Sequence, residues 1–154
     1  MEFNNRKINR LKSYDYSTPG FYFLTICTKN KKQILWKNSS NNSKYVLSFY
    51  GKIVENEIKK INEIYDGNLV VDKYVVMPNH VHVILKINGR PQVAPTISRV
   101  IKQFKGAVTK KIGYPIWQKT FHDHIIRNEK EYNMISQYIE MNPFNWNKDC
   151  FYIM

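Results

Sequence analysis

The sequence predicts an α+β fold: a ferredoxin-like (split βαβ) four-stranded antiparallel sheet with two helices on one face, plus a C-terminal helix. Three observations predict it. Short apolar runs rich in β-branched and aromatic residues alternate with segments whose apolar residues recur every three or four positions. The resulting order is strand, helix, strand, strand, helix, strand, helix, and its first six elements form the split βαβ pattern. A chain of 154 residues is long enough for one domain with a full core.

The first twelve residues carry Arg6, Lys7, Arg10 and Lys12. They read as the start of a basic arm running to about residue 19. Phe21 to Thr28 is an apolar strand, closed by the basic turn Lys29-Asn30-Lys31-Lys32. Asn38 to Ser43 is a loop by composition. A helix is expected from about Ser48 to Tyr65, with Ile53, Val54, Ile58, Ile61 and Ile64 on one face and Lys and Glu on the other. Asp66-Gly67-Asn68 stops it. Leu69 to Val76 reads as a second strand, and Met77-Pro78-Asn79 turns it into a third, giving an antiparallel hairpin. Asn88-Gly89-Arg90-Pro91 breaks the chain. The next helix, about Thr96 to Ile112, buries Ile97, Val100, Ile101, Phe104 and Val108. Residues 116–126 form an extended segment ending in a short strand. The last helix runs from Lys130 to about Met141, and Pro143 ends it by pushing Asn142 out of helical geometry.

Composition narrows the function. Hydrophobic residues make up 43% and charged residues 23%, as in an ordinary globular protein. No stretch approaches the roughly 18 apolar residues of a membrane span, and no secretory signal is evident. Cys27 lies in an apolar run and reads as a small core residue; Cys150 belongs to no motif. The formal net charge of +12 points to a polyanion, with nucleic acid the leading candidate. Arg99, Lys102, Lys105, Lys110 and Lys111 on the second helix face no acid between Thr96 and Lys111. That face suits phosphate contact as well as it suits plain solvation.

The chemistry concentrates in His80 and His82. Residues two apart on a strand share a face, so both imidazoles point the same way. Two imidazoles on a buried strand face are costly to hide without a partner, and a divalent metal is one such partner. The plainer alternative is a pair of surface histidines at a strand end. His122 and His124 repeat the spacing without the Met-Pro-Asn turn, and read as substrate-side or structural. On spacing alone Tyr138 is a packing residue, because Ile135, Tyr138 and Ile139 form a helical apolar stripe.

Several segments together resemble one family. Pro78-Asn79-His80-Val81-His82 is similar to the His-hydrophobic-His motif of HUH-type single-stranded DNA nucleases. Tyr138-Ile139-Glu140-Met141-Asn142-Pro143 resembles the Tyr-Ile-x-x-Asn-Pro signature of the REP-associated tyrosine transposases. Arg10 to Gly20, Tyr22 to Thr28, Trp117-Gln118 and His124 to Glu129 are similar to that family as well, in the family's order. The resemblance covers almost the whole chain. It implies a single transposase-like domain, residues 1–154, that cuts and transfers single-stranded, hairpin-containing DNA through a covalent 5′-phosphotyrosine. It makes Tyr138 the nucleophile. It makes His80, His82 and Asn142 the ligands of a divalent metal, Mg or Mn, that helps an otherwise poorly nucleophilic phenol. The basic arm and the basic face of the second helix supply candidate DNA-backbone contacts: Arg6, Lys7, Arg10, Lys12, Arg99, Lys102 and Lys105. The resemblance also implies a bacterial, cytoplasmic, nucleoid-associated protein acting as monomer or homodimer. The tail after Pro143 is shorter than in many relatives. Two other functions compete: a non-catalytic nucleic-acid-binding ferredoxin-like module, and a metal hydrolase using activated water.

Overall fold

The computed structural model describes residues 19–37, 46–88 and 96–148. The basic arm with Arg6, Lys7, Arg10 and Lys12, the loop at 38–43, the proline of the break at 88–91, and Cys150 lie outside the described residues. Seven main elements follow in the expected order: β1 Gly20–Cys27, α1 Phe49–Ile64, β2 Leu69–Val76, β3 His80–Ile87, α2 Ile97–Ile112, β4 His122–Ile126 and α3 Glu129–Met141. The sheet order is β2-β3-β1-β4 with every pairing antiparallel.

Local chemistry sets the helix ends. The side chains of Ser48, Thr96 and Asn128 each accept a hydrogen bond from the backbone N–H three residues on, satisfying donors that the first helical turn leaves over. Gly113 ends α2 at φ 100°, a left-handed conformation that costs glycine little.

Strand alternation splits the core in two. Tyr22, Leu24 and Ile26 of β1, with Val81, Val83, Leu85 and Ile87 of β3, face α1 and α2. Phe23, Val75, Met77, Ile84 and Ile126 face the other way, against Ile135 and Ile139 of α3. The sheet is therefore covered on both faces, and its inner strands β1 and β3 are apolar on both sides for that reason. The α1 stripe is narrower than expected. Val54, Ile58 and Ile61 are buried, but Ile64 is 59% exposed. The 3.6-residue period carries it to the margin of the stripe in the last turn. Glu57, expected on the solvent face, is buried in the seam between α1 and α2. Burial pushes its carboxyl up, but Lys111 at 2.9 Å and Lys60 at 3.2 Å outweigh that and hold it below the usual range.

β2 carries an irregularity. Val71 pairs with Leu85 and Lys73 with Ile84, so Asp72 is an extra residue relative to β3, a β-bulge.

Gly51 marks a close approach. A Cβ there would stand 2.1 Å from the carbonyl oxygen of Leu35. That oxygen accepts the Ser48 N–H at 2.9 Å, which ties α1 to the segment after β1. Gly106 on α2 faces open space. Gly51→Ala is expected to destabilise the fold by about 1–3 kcal/mol despite alanine's better helix propensity. Gly106→Ala should stabilise it by about 0.5–1 kcal/mol. Chemical denaturation of the two variants checks the contrast, and a stabilised Gly51→Ala would contradict it.

Candidate functional site

His80 opens β3 and His82 follows on the same face, beneath α3. Both are fully buried, and their Nε2 atoms stand 3.1 Å apart. The turn before them is pinned from several sides. Thr28 donates its N–H at 2.9 Å and its hydroxyl at 3.1 Å to the Asn79 carbonyl, and Leu35 N–H donates to Pro78 O at 3.0 Å. The buried Asn79 amide donates through Nδ2 to Lys31 O at 3.3 Å. That orientation leaves its Oδ1 facing His80 Nδ1 at 2.8 Å. A carboxamide oxygen only accepts, so His80 Nδ1 carries the proton and His80 Nε2 presents a lone pair. His82 Nδ1 meets the Thr25 hydroxyl at 2.8 Å. A hydroxyl both donates and accepts, so His82 has two neutral states. In one, its Nε2–H donates to His80. In the other, Nδ1–H donates to Thr25 and both Nε2 atoms are bare.

α3 brings the remaining residues. Ile135 and Ile139 anchor it to the sheet. Tyr138, on the adjoining part of that face, sets its ring edge-on to His82 with centroids 5.4 Å apart. The same ring lies 6.4 Å from Phe23, and Phe23 stacks on His82 at 5.1 Å. One turn on, Asn142 is 2% exposed and its side chain lies beside His80. The Trp146 ring follows at 6.1 Å from His80. Beside Tyr138, an open cleft of about 330 Å³ is lined by Met134, Gln137, Met141, Asn142 and Asn145.

The structure thus gathers His80, His82, Tyr138 and Asn142 into one place. It does not bring Arg99 or Lys102 there. Both are exposed on α2, across the sheet from the histidines. Lys105 braces the chain before β4, donating to Gln118 O at 2.7 Å and Thr120 O at 3.3 Å. His122 and His124 share the histidine face, opposite Thr25 and Phe23 on β1. His124 pairs with Glu131 of α3, a structural role. His122 Nδ1 is buried with no hydrogen-bond partner among the described residues. Sequence reasoning missed Thr25, Asn79 and Lys31. Asn79 stood beside His80 in the chain and could have been found. Thr25 could not, because only strand register puts it opposite His82.

Burial dominates the electrostatics. It drives His80 well below the usual imidazole range, and the neighbouring His82 adds to this; the Asn142 side chain opposes it, while the Lys31 charge reinforces it. His82 is lowered to about 3 by burial, then by His122. Both rings are therefore neutral at neutral pH, the form in which imidazole binds a metal. The donor set fits a divalent ion. Two nitrogens roughly 2.0–2.2 Å from one centre and at right angles stand about 3 Å apart. The observed 3.1 Å matches, and Asn142 adds an oxygen donor beside His80.

These shifts have a stability consequence with a definite sign. Unfolded imidazoles take up protons near 6.5, whereas the folded pair resists them, so stability is full above about 6.5 and falls as pH drops toward the folded value. For His82 alone the loss between pH 7 and pH 5 is on the order of 2 kcal/mol. Denaturation of the metal-free protein at both pH values should show it, and His82→Phe should flatten it. Equal slopes for both proteins would count against neutral burial of His82.

No family model matches the chain. Individual proteins do. An uncharacterised protein of Haemophilus influenzae is 32% identical over 97% of this chain and 94% of its own length. The REP-associated tyrosine transposase of Escherichia coli is 28% identical over 83% of this chain and 68% of its own. A solved REP-associated tyrosine transposase, bound to a REP hairpin, superposes with a TM-score of 0.67 at 25% identity, covering 90% of this chain and 74% of that one. A solved chain from Deinococcus radiodurans shares the fold, with a TM-score of 0.53 at 20% identity over 86% of this chain and 96% of its own. The four-stranded sheet, the buried histidine pair and the tyrosine helix laid over it occur in a chain that is similar in sequence and in fold to REP-associated tyrosine transposases.

Proposed function

We propose that this protein nicks and rejoins single-stranded DNA beside a hairpin, through a covalent bond between Tyr138 and the 5′-phosphate. The observation that carries the reading is Tyr138 lying 5.4 Å, ring to ring, from a histidine whose Nε2 is paired with another buried histidine Nε2. A tyrosine packed for stability alone needs no such pair beneath it. The REP hairpin bound by one solved relative supports the choice of substrate.

The Tyr138 oxygen attacks the phosphorus at the nicking site. An O–P bond forms, the bond from phosphorus to the 3′ oxygen breaks, and that oxygen leaves as a hydroxyl, taking up a proton as the phenol gives one up. The phosphodiester energy stays in the phosphotyrosine, so a 3′-hydroxyl can reverse the step without ATP. His80, His82 and Asn142 would hold a divalent ion, Mg or Mn, which supplies polarisation of the phosphate oxygens when bound. All three donors are neutral, and no cluster of three His, Cys, Asp or Glu residues occurs among the described residues. Charge balance at such a site therefore comes from the DNA phosphate, which couples ion and DNA binding. Asn79 and Thr25 hold the outer nitrogens of the two rings and leave the Nε2 atoms 3.1 Å apart, where such an ion would be held.

The competing module reading meets an obstacle. Domains that stack bases on a ferredoxin-like sheet leave that face open, and here α3 covers it, with Phe23 only 3% exposed. A water-using hydrolase remains distinguishable by experiment. Hairpin-bearing single-stranded DNA with Mg or Mn should give a denaturant-resistant adduct. Tyr138→Phe should abolish the adduct while metal and DNA affinities stay within about twofold. His80→Ala and His82→Ala should weaken Mn binding by calorimetry and slow the adduct by about 100-fold or more. Cleavage at the wild-type rate by Tyr138→Phe would establish the hydrolase instead.

Basic residues divide by position. Lys31 acts on the histidines, whereas Arg99 and Lys102 lie across the sheet and suit the duplex stem. Lys31→Ala is expected to reduce the salt slope of single-strand binding by about 0.7, one phosphate contact. Lys102→Ala should leave that slope unchanged and lower it only for hairpin DNA. Titrations at several salt concentrations decide; a single-strand slope that responds to Lys102 and not to Lys31 would reverse the assignment.

A further inference from the structure

The bulge in β2 changes the phase of the strand. Before it, Leu69 and Val71 face α1 and α2; after it, Tyr74 and Val76 do. In a regular strand Asp72 and Lys73 would point to opposite faces. The extra residue turns both toward α3. Asp72 accepts a hydrogen bond from the Tyr132 hydroxyl, and Lys73 pairs with Glu140. Tyr132 lies six residues before Tyr138, and Glu140 two residues after it. The Tyr132 ring also packs on Phe21 at 5.0 Å.

We propose that the Asp72 bulge is a positioning device for Tyr138. Consecutive polar side chains clasp α3 on both sides of the tyrosine and fix its rotation and its advance over the histidine pair. The inference rests on the reading of Tyr138 as nucleophile. Its physical basis is directional. Ile135 and Ile139 hold α3 by apolar contact, which tolerates small rotation and sliding. Two polar contacts eight residues apart, about 12 Å along the axis, tolerate neither. Such partly exposed pairs add little to stability, so the clasp's effect belongs to geometry. Bulges are commonly used to re-aim side chains next to active sites. The Tyr132 phenol is pushed up to about 12 by its bond to Asp72, with burial adding, so it remains the donor across neutral pH. Neither Asp72 nor Tyr132 touches the reacting atoms; both are positioning residues.

The test uses the full chain with hairpin-bearing single-stranded DNA and Mn. Asp72→Ala, Tyr132→Phe and the double variant are compared with wild type. Adduct formation at saturating DNA is expected to slow by about 10- to 100-fold in each single variant. The double variant should be no slower than the singles, because both break one contact. DNA affinity should stay within about twofold, and Asp72→Glu should recover part of the rate. As a readout independent of activity, proton NOEs between the Tyr138 ring and the rings of Phe23 and His82 should weaken in Asp72→Ala and Tyr132→Phe. Unchanged rates and unchanged NOEs with a wild-type adduct on Tyr138 would overturn the clasp alone. So would additive losses, or losses that follow DNA affinity. A wild-type adduct on any residue other than Tyr138 would overturn the functional reading, and this inference with it.

Discussion

Two imidazoles with Nε2 atoms 3.1 Å apart are buried on one sheet face, and that arrangement constrains everything around it. Imidazole nitrogens so close, out of water, tolerate neither a second charge nor a random ring orientation. The surroundings answer both demands. Asn79 and Thr25 set the outer nitrogens, Phe23 stacks under one ring, and Trp146 flanks the other. The turn at 77–79 must then be rigid, and it is held by Thr28, Leu35 and Lys31. Lys31 itself sits at φ 53° after Asn30 at φ 58°. Two successive left-handed residues without glycine are uncommon, and the hydrogen bond to Asn79 helps hold them.

The same pair explains the third layer. A split βαβ sheet with helices on one face would leave the histidines in water. α3 closes that face with an apolar stripe whose continuation reaches the histidines: Ile135 and Ile139 bury, Tyr138 leans over His82, and Asn142 reaches His80. Packing and chemistry share one helix face, because residues three and four apart lie side by side. A tyrosine in such a stripe packs in the core and touches the histidine pair together.

Charge is distributed to suit. The chain carries +12, yet the gathered donors are neutral, and among the described residues Lys31 is a cation that acts on His80. Three carboxylates on or facing α3 are committed elsewhere: Asp72 to Tyr132, Glu140 to Lys73, Glu131 to His124. A neutral pocket in a cationic protein favours an anion that brings its own counter-ion. No helix of the described residues is long and apolar enough to cross a membrane.

Much of this was legible in the chain. The 3.6 and 2.0 periods placed all seven elements, since a buried face imposes its period on the residues that line it. They also put His80 and His82 on one face; the proline rule put Asn142 out of helical geometry, whereas it keeps helical angles of φ −57° and ψ −45° one turn beyond Tyr138. The family resemblance assigned their roles. What the sequence by itself could not decide were distances between elements. Thr25 opposite His82 depends on register between strands 57 residues apart. Arg99 and Lys102 shared a basic face in the sequence, but only the layer order put that face across the sheet from the histidines. The Asp72 bulge left no local mark either, because Leu69 to Val76 reads as a strand in either phase. A one-residue shift against β3 is a property of the pair of strands, and pairs exist only once the chain has folded.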